Sequence, residues 1–169
     1  MFPNRSTIGH PPRAAFTLLE VAVVVVVLAT LAAVAMPKLS NSLGRQRAAL
    51  AAWSVSEDLR FTSVRARQTG LPHRFRISSS AMRVQIFMFD PGLTLVRDRF
   101  LNVEPYRISR AQAVNPDTLA DQGITMINFD TYGRPQERAI IRFASMGQIS
   151  VLTVDDRGRT SISNPTEGR

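Results

Sequence analysis

Few residues in this chain have the types and spacing that acid–base or covalent chemistry needs. There is no cysteine, which excludes a thiol nucleophile, a disulfide framework and a cysteine zinc site. The two histidines are His10 and His73, so imidazole catalysis in the C-terminal part would rest on His73 alone. Asp155-Asp156 has the charge for a cation. Calcium, however, takes six or more oxygens from alternating loop positions, and here Arg157 and Arg159 follow at once, so the pair reads as an exposed hairpin turn. No catalytic, metal or cofactor-binding set is expected, and the chain reads as a non-enzyme. One carboxylate stands out: Glu20 is the only charged residue in the apolar run from Phe16 to Met36. An acid well inside a bilayer costs roughly 2.5–3.5 kcal/mol on insertion scales. A shallow Glu20 could snorkel outward, favoured by the helix dipole. The functional alternative is a cationic partner. Cleavage between Ala15 and Phe16 would make one, the new amino group of Phe16, four residues and roughly 6 Å of helix rise away. A neighbouring subunit shifted along the membrane normal could present that amine to Glu20, which neutralises the charge and sets the stagger between subunits.

The second chemical feature is positive charge. Net charge is +8, and the leader, residues 1–15, holds two arginines and no acid, so +6 remains without it. Lys38 is the only lysine. Between Arg60 and Arg110 there are ten arginines against Asp90, Asp98 and Glu104. Codon bias in a GC-rich genome explains such a composition; a surface for phosphate or carboxylate groups, which arginine grips bidentately, is the sharper alternative. Arg74, Arg76 and Arg83 are the candidate basic surface, on one face of paired strands. It is either a solvated face or a phosphate-backbone site whose affinity would fall with salt.

The elements that must position these residues follow in chain order. Residues 1–15 include Pro11-Pro12, Arg5 and Arg13, and read as a cytoplasmic leader. Positive charge before an apolar run holds that end in the cytoplasm, which puts the C-terminal part across the membrane. Residues 16–36 are 21 in number and at ~1.5 Å each span about 31 Å as a helix, near the ~30 Å hydrocarbon core. Its valines are poor helix formers in water, but lipid leaves the backbone no other way to satisfy itself. Pro37 predicts a helix kink, not a stop. Residues 37–69 continue as an amphipathic helix, with Ala48, Ala52, Val55, Leu59 and Ala66 on one face and Leu50, Trp53, Phe61 and Val64 widening it. Trp53 is read as a core anchor. Thr69-Gly70 and Pro72 end the helix. Residues 70–169 then change to period 2. Strands are expected at 73–77, 83–89, 93–96, 124–129, 139–144, 149–154 and 160–163, as a meander on which the helix packs. The stretch from Glu104 to Gly123 is expected to be an irregular loop, either simply variable or a partner contact. The fold class is α+β.

The N-terminal residues resemble the prepilin signal of type IV pilins and type II secretion pseudopilins. That pattern is a small residue, a methylated Phe or Met, then Thr-Leu-(Leu/Ile)-Glu; here it is Ala15, Phe16, Thr17, Leu18, Leu19 and Glu20, with proline at mature position 22, Pro37. The usual residue before the cut is Gly, and this chain has Ala15. The C-terminal part is similar to the H-type minor pseudopilin and FimT/FimU group through Phe129-Asp130-Thr131-Tyr132-Gly133-Arg134-Pro135, the Gly158-Arg159 of the last hairpin, and Ala66-Arg67-Gln68-Thr69-Gly70. FimT-like DNA-binding pilins carry Gly-Arg-x-Arg; the corresponding residues here are Gly158-Arg159-Thr160-Ser161, without the second arginine.

The resemblance implies cleavage of Ala15–Phe16 by a prepilin peptidase, N-methylation of Phe16, and assembly with other pseudopilins or pilins guided by Glu20. It implies a single-pass inner-membrane protein with a periplasmic C-terminal domain, acting as a minor pseudopilin in type II protein secretion. One alternative is a FimT-like minor pilin in pilus assembly or DNA uptake, with nucleic acid as partner. Another is a single-span anchored or secreted module without a filament. The small-x-small sequence Ala33-Val34-Ala35 would release such a module starting at Met36.

Overall fold

The computed structural model describes residues 17–114 and 123–164. The chain divides into two compact units, residues 1–37 and 38–169. One helix, α1 (Leu18–Thr69), contributes to both. In the first unit α1 starts at a cap. The Thr17 hydroxyl and carbonyl accept the Glu20 amide at 3.2 and 3.1 Å, and the carbonyl also accepts the Val21 amide at 3.2 Å. Every side chain from Thr17 to Pro37 is exposed. This segment is long and apolar enough to cross a membrane. The Thr30 hydroxyl donates to the Val27 carbonyl at 2.8 Å, so the one polar side chain near its centre is satisfied within the helix. The helix passes through Pro37 without ending.

The second unit packs the rest of α1 on two antiparallel sheets. The strands are β1 (His73–Ser78), β2 (Arg83–Phe89), β3 (Leu93–Phe100), β4 (Arg110–Val114), β5 (Ile124–Phe129), β6 (Ala139–Ser145), β7 (Gln148–Val154) and β8 (Thr160–Ser163). One sheet has the order β3-β2-β1-β5 and the other β4-β6-β7-β8. The expected single meander is therefore corrected. β5 returns to pair with β1, and β4 pairs with β6 (Arg110↔Ala144 to Val114↔Ile140). β4 lies inside the stretch expected to be irregular. It buries Ile108 just before it, then Ala111, Ala113 and Val114. Alanine is a weak strand former, so only the register with β6 reveals this strand.

The core is one apolar cluster. Ala51, Ala52, Val55, Leu59 and Ala66 of α1 meet Phe75, Ile77, Val84, Ile86, Ile127 and Phe129 of the first sheet and Ile141, Phe143, Leu152 and Val154 of the second. The small helix residues let the sheets approach closely. A Cβ on Gly44 would sit 2.7 Å from the Ser145 carbonyl oxygen at the β6–β7 turn. Trp53 is not a core anchor: it is 60% exposed, on the side of α1 away from the stripe of small buried residues. The helix ends as expected, with Gly70 at φ +65° and its amide donating to the Ala66 carbonyl at 3.0 Å.

Candidate functional site

Three places hold the chain's chemistry: the start of α1, the outer face of the first sheet, and a buried carboxylate on α1. At the helix start Ala15 and Phe16, the cleavage and methylation residues, lie outside the described residues. Glu20 is exposed, in the first turn, three residues after its Thr17 cap. No ion pair involves it among the described residues. Thr17-x-x-Glu20 has the spacing of a capping box. The threonine half of that box is made, through the bond from the Glu20 amide to the Thr17 hydroxyl.

The first sheet brings Arg74, Arg76 and Arg83 onto one face. Ser78 pairs with both Arg83 and Ile124, Arg76 with Gln85 and Met126, and Arg74 with Phe87 and Asn128. Residues two apart on β1 and their partners thus share the face turned away from the core. The three arginines differ in their contacts. Arg83 donates from Nε to Asp98 Oδ1 at 2.7 Å and from its second nitrogen to Oδ2, and its guanidinium lies 5.1 Å from the Phe100 ring. The bond from Arg83 holds the Asp98 carboxyl below the usual carboxylate range and raises Arg83 in turn. Arg74 donates to Asn128 Oδ1 at 2.8 Å and lies over Phe89 at 4.7 Å. Arg76 has a buried Nε with no partner among the described residues. Exposed Leu93, Leu95, Phe100, Ile124 and Met126 surround them, so the face is mixed apolar and cationic.

The buried carboxylate is Asp58, 1% exposed, and sequence reasoning missed it. Arg97 donates to Oδ1 at 2.7 Å and Arg99 to Oδ2. Arg99 also reaches the Ser54 carbonyl and the Tyr106 hydroxyl, both at 3.2 Å, and that hydroxyl bonds the Ser54 hydroxyl at 2.9 Å. Arg97 lies over Phe61 at 4.3 Å. The network ties edge strand β3 and the segment carrying Tyr106 to α1, a structural task. A signal was available: Asp58 sits between Val55, Leu59 and Thr62 on the buried stripe, and an acid there needs a buried partner.

Residues 11–36 match the family described as the prokaryotic N-terminal methylation motif. Among solved structures the fold is similar to the minor pseudopilin EpsH from the type 2 secretion system of Vibrio cholerae. The TM-score is 0.55 at 16% identity, over 72% of this chain and 99% of that one. It is also similar to the type IV minor pilin FimU of Pseudomonas aeruginosa, with a TM-score of 0.52 at 12% identity, over 70% of this chain and 90% of that one. The motif thus covers the start of the chain, and the fold is pilin-like. Among curated proteins nothing matches the chain. The structures that the chain resembles are a minor pseudopilin and a minor pilin. Their likeness shows the fold, beside an N-terminal helix long and apolar enough to cross a membrane. It draws no line between type II secretion and a pilus.

Proposed function

We propose that this chain is a non-enzymatic minor pseudopilin-like subunit of an envelope filament in type II protein secretion. The observation that carries the reading is Glu20, the lone charge of the apolar segment, placed in the first turn of α1 and inside the residues that match the methylation motif. A prepilin peptidase cuts between Ala15 and Phe16 and methylates Phe16. The resulting amine, on a neighbouring subunit, neutralises Glu20 and sets the axial stagger. Residues 16–36 lie in the inner membrane, with Arg5 and Arg13 cytoplasmic and the sheet domain periplasmic. Pro37 loosens the helix where it leaves the membrane. Exposed Leu50 and Trp53 then offer an apolar helix face to neighbouring subunits. The likeness to FimU supports a second reading, a minor pilin of a type IV pilus.

The test is crosslinking of Glu20→Ala to sister subunits in native membranes, together with N-terminal sequencing. The expected product begins at methylated Phe16, and Glu20→Ala loses its crosslinks while remaining inserted. Undiminished crosslinks would remove the role given to Glu20. A mature start at Met36 would replace the filament reading with a secreted module.

A further inference from the structure

The chain contains the same five-residue turn twice. Asp130-Thr131-Tyr132-Gly133-Arg134 joins β5 to β6, and Asp155-Asp156-Arg157-Gly158-Arg159 joins β7 to β8. Both read Asp-x-x-Gly-Arg, and both fold alike. In the first, Asp130 Oδ1 accepts the amides of Tyr132 at 2.9 Å and Arg134 at 2.7 Å. In the second, Asp155 Oδ1 accepts those of Arg157 at 2.9 Å and Arg159 at 2.7 Å. Gly133 and Gly158 take φ +72° and +76°. The turns abut: a Cβ on Gly158 would lie 3.1 Å from Pro135 Cδ, and one on Gly133 would lie 2.3 Å from the Ser63 carbonyl oxygen of α1. The Ser63 hydroxyl donates to the Gly133 carbonyl at 2.6 Å.

Between the two turns and α1 is a cleft of about 600 Å³. Five arginines line it: Arg60 and Arg67 from the helix, Arg134 from the first turn, Arg157 and Arg159 from the second. Arg60, Arg134 and Arg157 make no side-chain hydrogen bond or ion pair among the described residues. Arg67 donates only to the Ser63 hydroxyl, at 3.1 Å. Arg159 alone has an acid, Asp155, at 3.7 Å in an exposed pair. Asp155 already spends one oxygen on its own backbone. Five like charges gathered in a concave space repel one another and raise the local concentration of anions. All five are guanidiniums, whose forks match carboxylate and phosphate oxygens.

We propose that this cleft is a docking site for a short Asp/Glu-rich segment of another protein. The charge is gathered at one point and not spread along a track. Among the described residues no acid lines the cleft, and Asp156, next to Arg157 in the chain, pairs instead with Arg138 at 3.5 Å. A nucleic-acid backbone is tracked along a continuous cationic groove, whereas a compact cluster of carboxylates fits five arginines gathered at one point. A second copy of this chain is disfavoured as occupant, since each carries a net +8, or +6 without the leader. If the filament reading holds, the segment belongs to an acidic sister subunit; the cleft itself rests on geometry alone.

The test uses the full chain in neutral detergent, with a fluorescent oligo-glutamate peptide and a fluorescent DNA duplex as probes. Anisotropy is read at low salt and at about 0.15 M. The peptide is expected to bind at low salt, more weakly at the higher salt, and more tightly than the duplex. Arg134→Gln/Arg157→Gln, checked for native circular dichroism, is expected to weaken it about tenfold or more. Arg134→Lys/Arg157→Lys, which keeps the charge and loses the forks, is expected to fall between. Arg142→Gln, an exposed arginine on β6, is expected to bind normally. The proposal is overturned if the wild-type chain does not bind the peptide, if the Gln variant binds it equally well, or if the duplex binds more tightly through the same arginines. Any of these leaves the Glu20 reading standing. Crosslinks that survive Glu20→Ala would sink that reading and leave peptide binding untouched.

Discussion

Removing the Asp58 carboxylate tests the central claim about how the sheet domain is held to its helix. Breaking a buried ion pair from one side costs about 3–5 kcal/mol, because a charge is left without its partner. Here the carboxylate is fully buried, but the side chains of Arg97 and Arg99 are 44% and 27% exposed. Once released, both can turn toward water, so Asp58→Ala should fall at the lower end, about 3 kcal/mol. Domains of this kind have only about 5–15 kcal/mol in total. The assay is urea unfolding of the full chain in neutral detergent, read by circular dichroism and Trp53 fluorescence. With a slope of about 1–3 kcal/mol per molar, the midpoint should drop by about 1–3 M. Arg99→Ala should cost somewhat less, since Arg97 still pairs with Asp58. Adding Arg99→Ala to Asp58→Ala should cost little more, a coupling of about 1–3 kcal/mol. The exposed Glu104–Arg107 pair, 2.9 Å apart, serves as control: Glu104→Ala should cost at most about 1 kcal/mol. An Asp58→Ala midpoint equal to that of Glu104→Ala, or strictly additive losses in the double variant, would refute the account.

Two further outcomes follow from the geometry. Gly147→Ala places a side chain at φ +78° in open space and should lose about 1 kcal/mol. Gly133→Ala adds a collision with the Ser63 carbonyl and should lose about 3 kcal/mol or more in the same unfolding assay. The Arg83–Asp98 pair contributes stability through a carboxyl whose folded pKa is lowered. That contribution is complete above the ordinary aspartate value of about 3.9 and is lost as pH falls through the lower folded value. The gap in urea midpoint between the wild-type chain and Arg83→Gln should therefore close on acidification. A gap that widens in acid contradicts the sign.

Strong periodicity was readable from residues alone. Ala48, Ala52, Val55, Leu59 and Ala66 are buried, the Thr69-Gly70 stop is real, and seven of the eight strands lie where period 2 put them, β3 running on to Phe100. The rest was hidden for physical reasons. Period 2 tells which face of a strand is buried but not which strand lies beside it, so the return of β5 to β1 and the second sheet were not visible. β4 presents alanines, whose burial depends on the neighbour they meet. Trp53 shows the converse: it was assigned inward by size, yet small residues already fill that interface. Arg74, Arg76 and Arg83 were grouped correctly by spacing, but counting charge overlooked which arginines have partners. Arg60 on α1 and Arg134 and Arg157 in the twin turns, which no side chain among the described residues holds, were not singled out by that count.

Those twin turns have a consequence for how the domain forms and how it can be altered. Each aspartate closes its bonds within five residues, so the loop entropy of making the turn is small and its contacts are of the local kind that form early. The β5–β6 and β7–β8 connections thus carry their own instructions, independent of the sheet around them. Such a cassette tolerates new strands on either side, and its third position, Tyr132 in one copy and Arg157 in the other, is free to change chemistry without changing shape.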